Sequence, residues 1–275
     1  MTWDNWESVR AGRVLFEDAA ALVLNKPAGI AVTGERHETD LVRLAADQGE
    51  TLYPAHRIDK VTSGAILFAR QLPYHGDLTR QFNRRTVDKA YLAVTRTGGL
   101  PDWGVIELPL SVGRKNRVRI AAERATIATD GHHWSVPADN VFTHVPTYPS
   151  VTAFATVWTD DAHTLLVVRP ITGRRHQIRV HLAWIGHALA GDLLFERTET
   201  DSRTLLHAWR LAFDAAWLDG RRITITAEPG ADFWLPMHDI PALETLLYQA
   251  DQRLVELRER TEDLRPADDG SPSEE

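Results

Sequence analysis

The chain has 275 residues, of which 43% are hydrophobic and 25% are charged, and its formal net charge is −7. This composition is typical of a globular protein, and no apolar run approaches the ~20 residues that a membrane-spanning helix needs. The complete lack of cysteine excludes disulfides, thiolate metal sites and cysteine nucleophiles, and the acidic N-terminus lacks the apolar stretch of a signal peptide, so we expect a cytoplasmic protein.

The pattern of apolar residues predicts an alternation of strands and helices along the chain. Strands are predicted at residues 20–25, 64–70, 89–95, 104–110, 151–158, 164–168, 205–213 and 222–227. Helices are predicted at residues 74–85, 174–185 and 240–260. The order favours an α+β fold with a mixed, mainly antiparallel sheet and flanking helices. We interpret residues 1–262 as a single domain and residues 263–275 as a disordered acidic tail.

The charged residues are unevenly distributed, which matters for the choice of partner. Residues 261–275 carry six acids and one base, whereas residues 56–120 contain twelve Lys or Arg and five Asp or Glu. Residues 169–181 add four arginines and no acid. A chain that is acidic overall can therefore still present a basic groove to phosphates.

One candidate for chemistry is Asp59, which lies in the motif His56–Gly64 between two basic residues. The run Thr62-Ser63-Gly64 favours a turn, which places Asp59 on a loop just before a buried strand. Rigidly supported loops often carry catalytic groups. An aspartate that caps its own turn is the structural alternative for this motif taken alone.

A second motif, Thr172–Leu182, begins the predicted helix at 174–185 with several basic side chains. Unpaired N–H groups at a helix start favour anions, and Arg174 and Arg175 add positive charge there. Arg179 lies one turn further along the helix. The structural alternative is a charged helix face that meets only solvent.

Taken together, these motifs resemble those of the RluA-type family of RNA pseudouridine synthases. Three further stretches agree with that family and occur in its order: Leu24–Gly29, Lys89–Ala93, and Gly186–Asp192 followed by Leu206–Ala208. The resemblance spans about residues 15–228. It implies the pseudouridine synthase fold, with a curved mixed sheet, and the isomerisation of uridine to pseudouridine in ribosomal or transfer RNA.

The resemblance also implies a role for individual residues. Asp59 matches the catalytic aspartate, Tyr91 matches a tyrosine that packs against the target uracil, and Arg179 matches the arginine that pairs with the aspartate. Arg57 matches a residue that helps to displace the target base. We expect further RNA contacts from a basic set comprising Arg84, Arg85, Arg174, Arg175 and His176.

Several features remain open or depart from the family. Ala188 stands where the family often has proline, and the segment 114–150 is long; it could contact RNA or cover a sheet edge. We expect no N-terminal S4-like domain, no metal, no cofactor, and a monomer.

The rival functions are weaker. A glycoside hydrolase needs two carboxylates, and Asp59 has no acidic neighbour in either motif. The histidine spacings do not suit a metal site. The serious alternative is a non-catalytic RNA-binding or RNA-folding protein on the same scaffold.

Overall fold

A computed structural model describes residues 3, 5–34, 39–96, 98–113, 117–196 and 203–264. The chain divides into two compact units. Unit 1 comprises Met1–Tyr91 and Leu206–Trp234, and unit 2 comprises Leu92–Leu205 and Leu235–Glu275. The assignment of 1–262 to a single domain stays a prediction. Most of the predicted acidic tail, from residue 265 onwards, lies outside the described residues, whereas Glu262–Leu264 form one turn of 3-10 helix.

The described chain contains both helices and strands, with eight successive strands between the third and fourth α-helices. The helices are α1 (Trp6–Arg10), α2 (Leu41–Asp47), α3 (Leu72–Asn83), α4 (Gln177–Trp184), α5 (Ala231–Trp234) and α6 (Leu243–Arg260). The strands are β1 (Val14–Glu17), β2 (Ala21–Lys26), β3 (Tyr53–Pro54), β4 (Ser63–Ala69), β5 (Asp88–Thr95), β6 (Trp103–Glu107), β7 (Leu110–Val112), β8 (Val118–Ile120), β9 (Ala128–Thr129), β10 (His133–Ser135), β11 (Val151–Thr159), β12 (Thr164–Pro170), β13 (Leu206–Ala215) and β14 (Arg221–Thr226). No helix among these described elements is long and apolar enough to cross a membrane.

The sheet of unit 1 contains the order β1-β2-β4-β13, with β14 on β13 and β3 on β4. Strand β2 pairs with β4 in antiparallel register, whereas β13 runs parallel to β4. Every residue of β4 is buried, because its side chains alternate between two apolar clusters. Ile66 and Phe68 pack with residues of α1 and α2, and Leu67 packs with Leu78 of α3. Burial on both faces explains why β4 reads as a continuous apolar run.

The sheet of unit 2 has the order β12-β11-β6-β10-β9. It is antiparallel except for the parallel pair of β10 and β6, and α6 packs on β11 and β12. The predicted α+β fold with a mixed, mainly antiparallel sheet is therefore confirmed. Part of the long segment 114–150 covers a sheet edge, since β10 pairs with β6. Whether this segment also contacts RNA stays open.

A substitution at Gly64 tests how closely the backbones of β4 and β13 approach each other. Its φ is +109°, and a Cβ atom placed on it would lie 2.2 Å from the carbonyl oxygen of Ala208. Gly64→Ala should destabilise unit 1 by about 3 kcal/mol or more, since backbone strain and overpacking each cost about 1–3 kcal/mol. Gly220 also has a positive φ, +73°, but open space around it. Gly220→Ala should therefore cost only about 1–2 kcal/mol in urea unfolding; equal losses would contradict the close approach.

Candidate functional site

The predicted catalytic carboxylate, Asp59, lies in the loop between β3 and β4, as the motif indicated. Its side chain is half-buried, and its carbonyl accepts a hydrogen bond from the Thr62 N–H at 3.0 Å. This bond closes the turn that the run Thr62-Ser63-Gly64 predicts, and β4 begins directly after it. Asp59 is thus attached to the fully buried strand of unit 1.

A buried lysine holds the loop on the C-terminal side of Asp59. Lys26 has no exposed surface, and its ammonium donates to the carbonyls of Pro27 at 2.9 Å, Ile30 at 2.7 Å and Lys60 at 3.3 Å. The Lys60 carbonyl also accepts the Gly29 N–H at 2.8 Å. Because a buried charge must find partners, these carbonyls keep the turn and the loop together. Lys26 lies in the stretch Leu24–Gly29 that resembles the family, but no role was predicted for it.

His56 holds the loop on the N-terminal side. Its Nε2 accepts the N–H of Leu67 at 3.1 Å, so the proton of the neutral ring lies on Nδ1. The ring also stacks on Phe82 of α3, with centroids 4.3 Å apart and planes inclined by 14°. Burial, and secondly the positive charge of Lys89, lower the pKa of His56 to about 3. The ring therefore stays neutral, which the hydrogen bond from Leu67 requires.

A third support joins the start of β4 to β13 and to the residue that follows β14. The Ser63 hydroxyl lies 2.7 Å from Nδ1 of His207, and Nε2 of His207 lies 2.8 Å from the carbonyl of Ala227. A carbonyl can only accept, so Nε2 donates to it, and in the neutral ring Nδ1 accepts the Ser63 hydroxyl. Both Ser63 and His207 are buried. The bond reinforces the parallel pairing of β4 and β13 beside the loop.

Tyr91 is near Asp59 within unit 1. The ring is half-buried and packs against the apolar cluster that contains Ile58. Burial, and secondly the negative charge of Asp59, raise the pKa of the Tyr91 hydroxyl well above its usual value. The phenol is therefore neutral. The structure brings these two sequence-predicted residues close enough for electrostatic interaction.

In unit 2, the motif Thr172–Leu182 folds around the side chain of Gln177. Its amide oxygen accepts the Thr172 hydroxyl at 2.6 Å and the Arg174 N–H at 3.0 Å, and its amide nitrogen donates to the Val151 carbonyl at 2.9 Å. This buried amide ties the turn to β11. Helix α4 begins at Gln177, so the predicted start at residue 174 was wrong. His176, with φ of +54°, turns the chain immediately before the helix.

Arg179 of α4 is fixed by a partner that sequence analysis missed. Its Nε and Nη2 each lie 2.7 Å from a carboxylate oxygen of Asp192, and the side chains are 6% and 1% exposed. The guanidinium also lies 5.4 Å from the ring centroid of Phe195. Such a bidentate pair fixes both position and orientation. The pairing of Arg179 with Asp59 stays a prediction.

The residues predicted to bind RNA are distributed over both units. In unit 1, Arg57 and Arg84 are exposed and Arg85 is half-buried with φ of +57°. In unit 2, the half-buried Arg174 places its guanidinium 5.3 Å from the ring of Tyr148, and His176 packs edge-on against Phe195. Arg175, the last residue of the predicted RNA-binding set, is also half-buried. Within the described ranges, no group of three or more His, Cys, Asp or Glu could hold a metal ion.

Comparisons with known proteins bear on these motifs. Residues 20–184 match the family model for RNA pseudouridylate synthase. Ribosomal large subunit pseudouridine synthase D of Nitrosomonas europaea is 35% identical over 217 residues, which are 72% of this chain and 57% of that protein. The chain likewise spans 60% of ribosomal large subunit pseudouridine synthase C of Pasteurella multocida, at 32% identity and 74% of its own length.

Other relatives match over nearly their whole length. The tRNA pseudouridine synthase C of Pasteurella multocida is 32% identical, over 82% of this chain and 95% of that protein. Among solved structures, human RNA pseudouridylate synthase domain containing 4 superposes with a TM-score of 0.65 at 21% identity, over 89% of this chain and 95% of the other. The last comparison shows the fold.

The buried pair of Arg179 and Asp192 can be tested against an exposed pair of the same chemistry. Asp192→Asn removes the carboxylate that binds Nε and Nη2 of the buried Arg179 guanidinium, which should cost about 3–5 kcal/mol. The control is Asp214→Asn, whose partner Arg222 and own side chain are 41% and 45% exposed. That change should cost under about 1 kcal/mol. Urea unfolding of both variants checks the difference; similar losses would show that the buried pair is not the one that stabilises the protein.

His56 predicts a pH dependence of the free energy of unfolding. Its pKa is about 3 in the folded protein, below the ordinary value of 6.5, so the unfolded chain binds the proton more readily. Stability should therefore fall as pH drops through 6.5 towards 3, and His56 should account for about 1–2 kcal/mol between pH 7.5 and pH 5.0. His56→Gln keeps an acceptor for Leu67 and should remove that part of the loss. Urea unfolding at both pH values tests this; an unchanged slope would show that His56 does not titrate on unfolding.

Proposed function

The chain belongs to the RNA pseudouridylate synthase family, and we propose that it isomerises uridines of ribosomal or transfer RNA to pseudouridine with Asp59 as the catalytic carboxylate. The substrates are those in the names of its relatives. We further propose that it acts as a cytoplasmic monomer without a metal or an organic cofactor.

The observation that carries this proposal is the support around Asp59. Lys26, His56 and Ser63 hold the loop on both sides of it through hydrogen bonds that are buried or partly buried. A group that only capped its own turn would need one local bond. A loop held by three separate contacts pre-organises the carboxylate that it carries, which is what a reacting group requires.

The reaction requires Asp59 in its ionised form. The C1′–N1 bond of the target uridine breaks, the uracil turns, and a C1′–C5 bond forms, with the C5 proton lost at the end. Asp59 can act in this sequence as a nucleophile or as a base, and in both roles it must carry a negative charge. Either role is compatible with its place in the loop.

The neighbouring residues fit the handling of the base. A target uridine must leave its stack at a cost of a few kcal/mol. Tyr91 offers a neutral aromatic ring, and stacking on an aromatic ring is worth about 1–3 kcal/mol per base. Arg57 is exposed in the same loop as Asp59, where it can take the place that the base leaves. The resemblance assigns Arg179 to the same chemistry, and its buried carboxylate partner would keep its orientation constant.

The decisive variant is Asp59→Asn, which keeps the shape of the side chain and removes its charge. Isomerisation should fall at least about a hundredfold, because an amide is neither a nucleophile nor a base in this reaction. RNA affinity should be unchanged or slightly higher, since one anion fewer faces the phosphates. Single-turnover reaction of total cellular RNA with a chelator present measures the rate of isomerisation. Filter binding measures the affinity for RNA.

The control for this variant is Asp219→Asn, in an exposed turn whose φ of +54° asparagine also tolerates. It should keep full activity. A folded Asp59→Asn protein that still forms pseudouridine would refute the catalytic role of Asp59. A wild-type protein that binds RNA without isomerising it would favour the non-catalytic RNA-binding alternative.

A further inference from the structure

Lys89 is a cation of unit 1 that the proposed reaction does not use. It lies on β5, half-buried, with its ammonium 5.9 Å from the ring centroid of Phe82. Within the described part of the chain, this ammonium has no hydrogen-bond acceptor and no carboxylate at ion-pair distance. Lys26, by contrast, donates to three carbonyls. Lys89 therefore lacks the compensation that a partly buried charge normally has.

The groups around Lys89 make its position more electropositive. Arg85, in the turn before β5, repels it, and burial together with that charge lowers the pKa of Lys89 to about 8. His56 lies against Phe82 and senses the charge of Lys89. Asp88 precedes Lys89 on the strand and points to the opposite face. Among the described residues, no acid acts on this ammonium, and Arg85 is the charged group that does.

This cluster lies on the same side of β5 as the candidate site. Lys89 and Tyr91 are two residues apart on the strand, so their side chains share a face. Both are half-buried, whereas Ala90 between them is fully buried. Tyr91 is close enough to Asp59 to sense its charge, and His56 begins the motif that carries Arg57 and Asp59. An anion at Lys89 would therefore lie beside the loop that handles the target nucleotide.

We propose that Lys89 and Arg85 bind one phosphate group of the RNA backbone beside the Asp59 loop. This inference rests on the proposed function, because it places RNA on unit 1. A lysine ammonium binds phosphate as a point charge, and a phosphate would supply the acceptor that Lys89 lacks. It would also favour the protonated amine, so RNA binding takes up a proton when the free amine is neutral.

The first experiment measures RNA affinity by filter binding at pH 7.5 and pH 9.0, with total RNA as the probe. Wild-type protein should bind about fourfold more weakly at pH 9.0, because a free lysine of pKa about 8 is then mostly neutral and RNA raises that pKa by about one unit. Lys89→Arg keeps its charge at both values and should lose less than about twofold. Any loss that this variant shares with the wild type belongs to the RNA or to other groups.

The second variant, Lys89→Met, removes the charge and keeps a long apolar side chain against Phe82. It should bind as weakly at pH 7.5 as the wild type does at pH 9.0. The slope of log affinity against log salt should become shallower by about 0.7, the value for one phosphate contact on single-stranded RNA. Arg253→Met on the outer face of α6, where Arg253 pairs with Glu256, is the matched control and should leave both quantities unchanged.

A direct readout is the titration of Lys89 by NMR of its Cε atom. The free protein should show a midpoint near 8, and total RNA should raise it by about one unit or more. Inorganic phosphate at millimolar concentration should raise it less, since a free ion lacks the neighbouring backbone contacts. A midpoint that RNA does not move would overturn the proposal, whatever the phosphate ion does.

The outcomes separate this inference from the proposed function. Lys89→Met should melt no earlier than the wild type at pH 7.5, because it removes a cation that burial disfavours, so weak binding cannot come from unfolding. If Lys89→Met binds RNA like the wild type while isomerisation still depends on Asp59, the phosphate site is wrong and the function stands. If RNA affinity depends on Lys89 in a protein that never isomerises uridine, the proposed function fails and the phosphate site stands.

Discussion

An irregular loop keeps one conformation only if its backbone groups find partners, and the loop of Asp59 meets this constraint through a buried cation. The Lys26 ammonium joins the carbonyl of Lys60 to those of Pro27 and Ile30, three points that no strand pairing connects. Removing that charge would free the turn at Gly29 and the loop together. The position of the candidate carboxylate therefore depends on Lys26, which binds the backbone carbonyl of the next residue, Lys60.

A polar group that supports the loop also holds its protonation state. His56 accepts from Leu67, and burial lowers its pKa to about 3, so the ring is neutral in this hydrogen bond. The charge near Asp59 thus stays constant where an ordinary histidine would titrate. Lys89 is different, since its charge is not balanced by any protein group in the described chain. The protonation of such a lysine can change when a ligand binds beside it.

Much of the fold followed from local patterns, whereas the supports of the site did not. The apolar run at 64–70 and the turn before it predicted β4 and the loop of Asp59, because both depend on neighbouring residues. Lys26 and His207 were visible only as polar residues within motifs, and lysine is almost never fully buried. Asp192 lies 13 residues beyond Arg179, across a turn. Contacts of this kind depend on tertiary packing, which the periodicity of apolar residues in a sequence does not predict.

The two buried cations differ in chemistry because their tasks differ. Lys26 donates hydrogen bonds to carbonyls that lie in several directions, which suits a compact ammonium with rotatable donors. Arg179 binds the Asp192 carboxylate through two parallel bonds, which suits a planar guanidinium and fixes the plane of the side chain. Exchanging either residue for the other type would keep the charge and lose the geometry. For Lys26 the position of the ammonium matters, since this residue supports a loop. For Arg179 the orientation of the guanidinium matters, because the family resemblance assigns this residue a part in the chemistry.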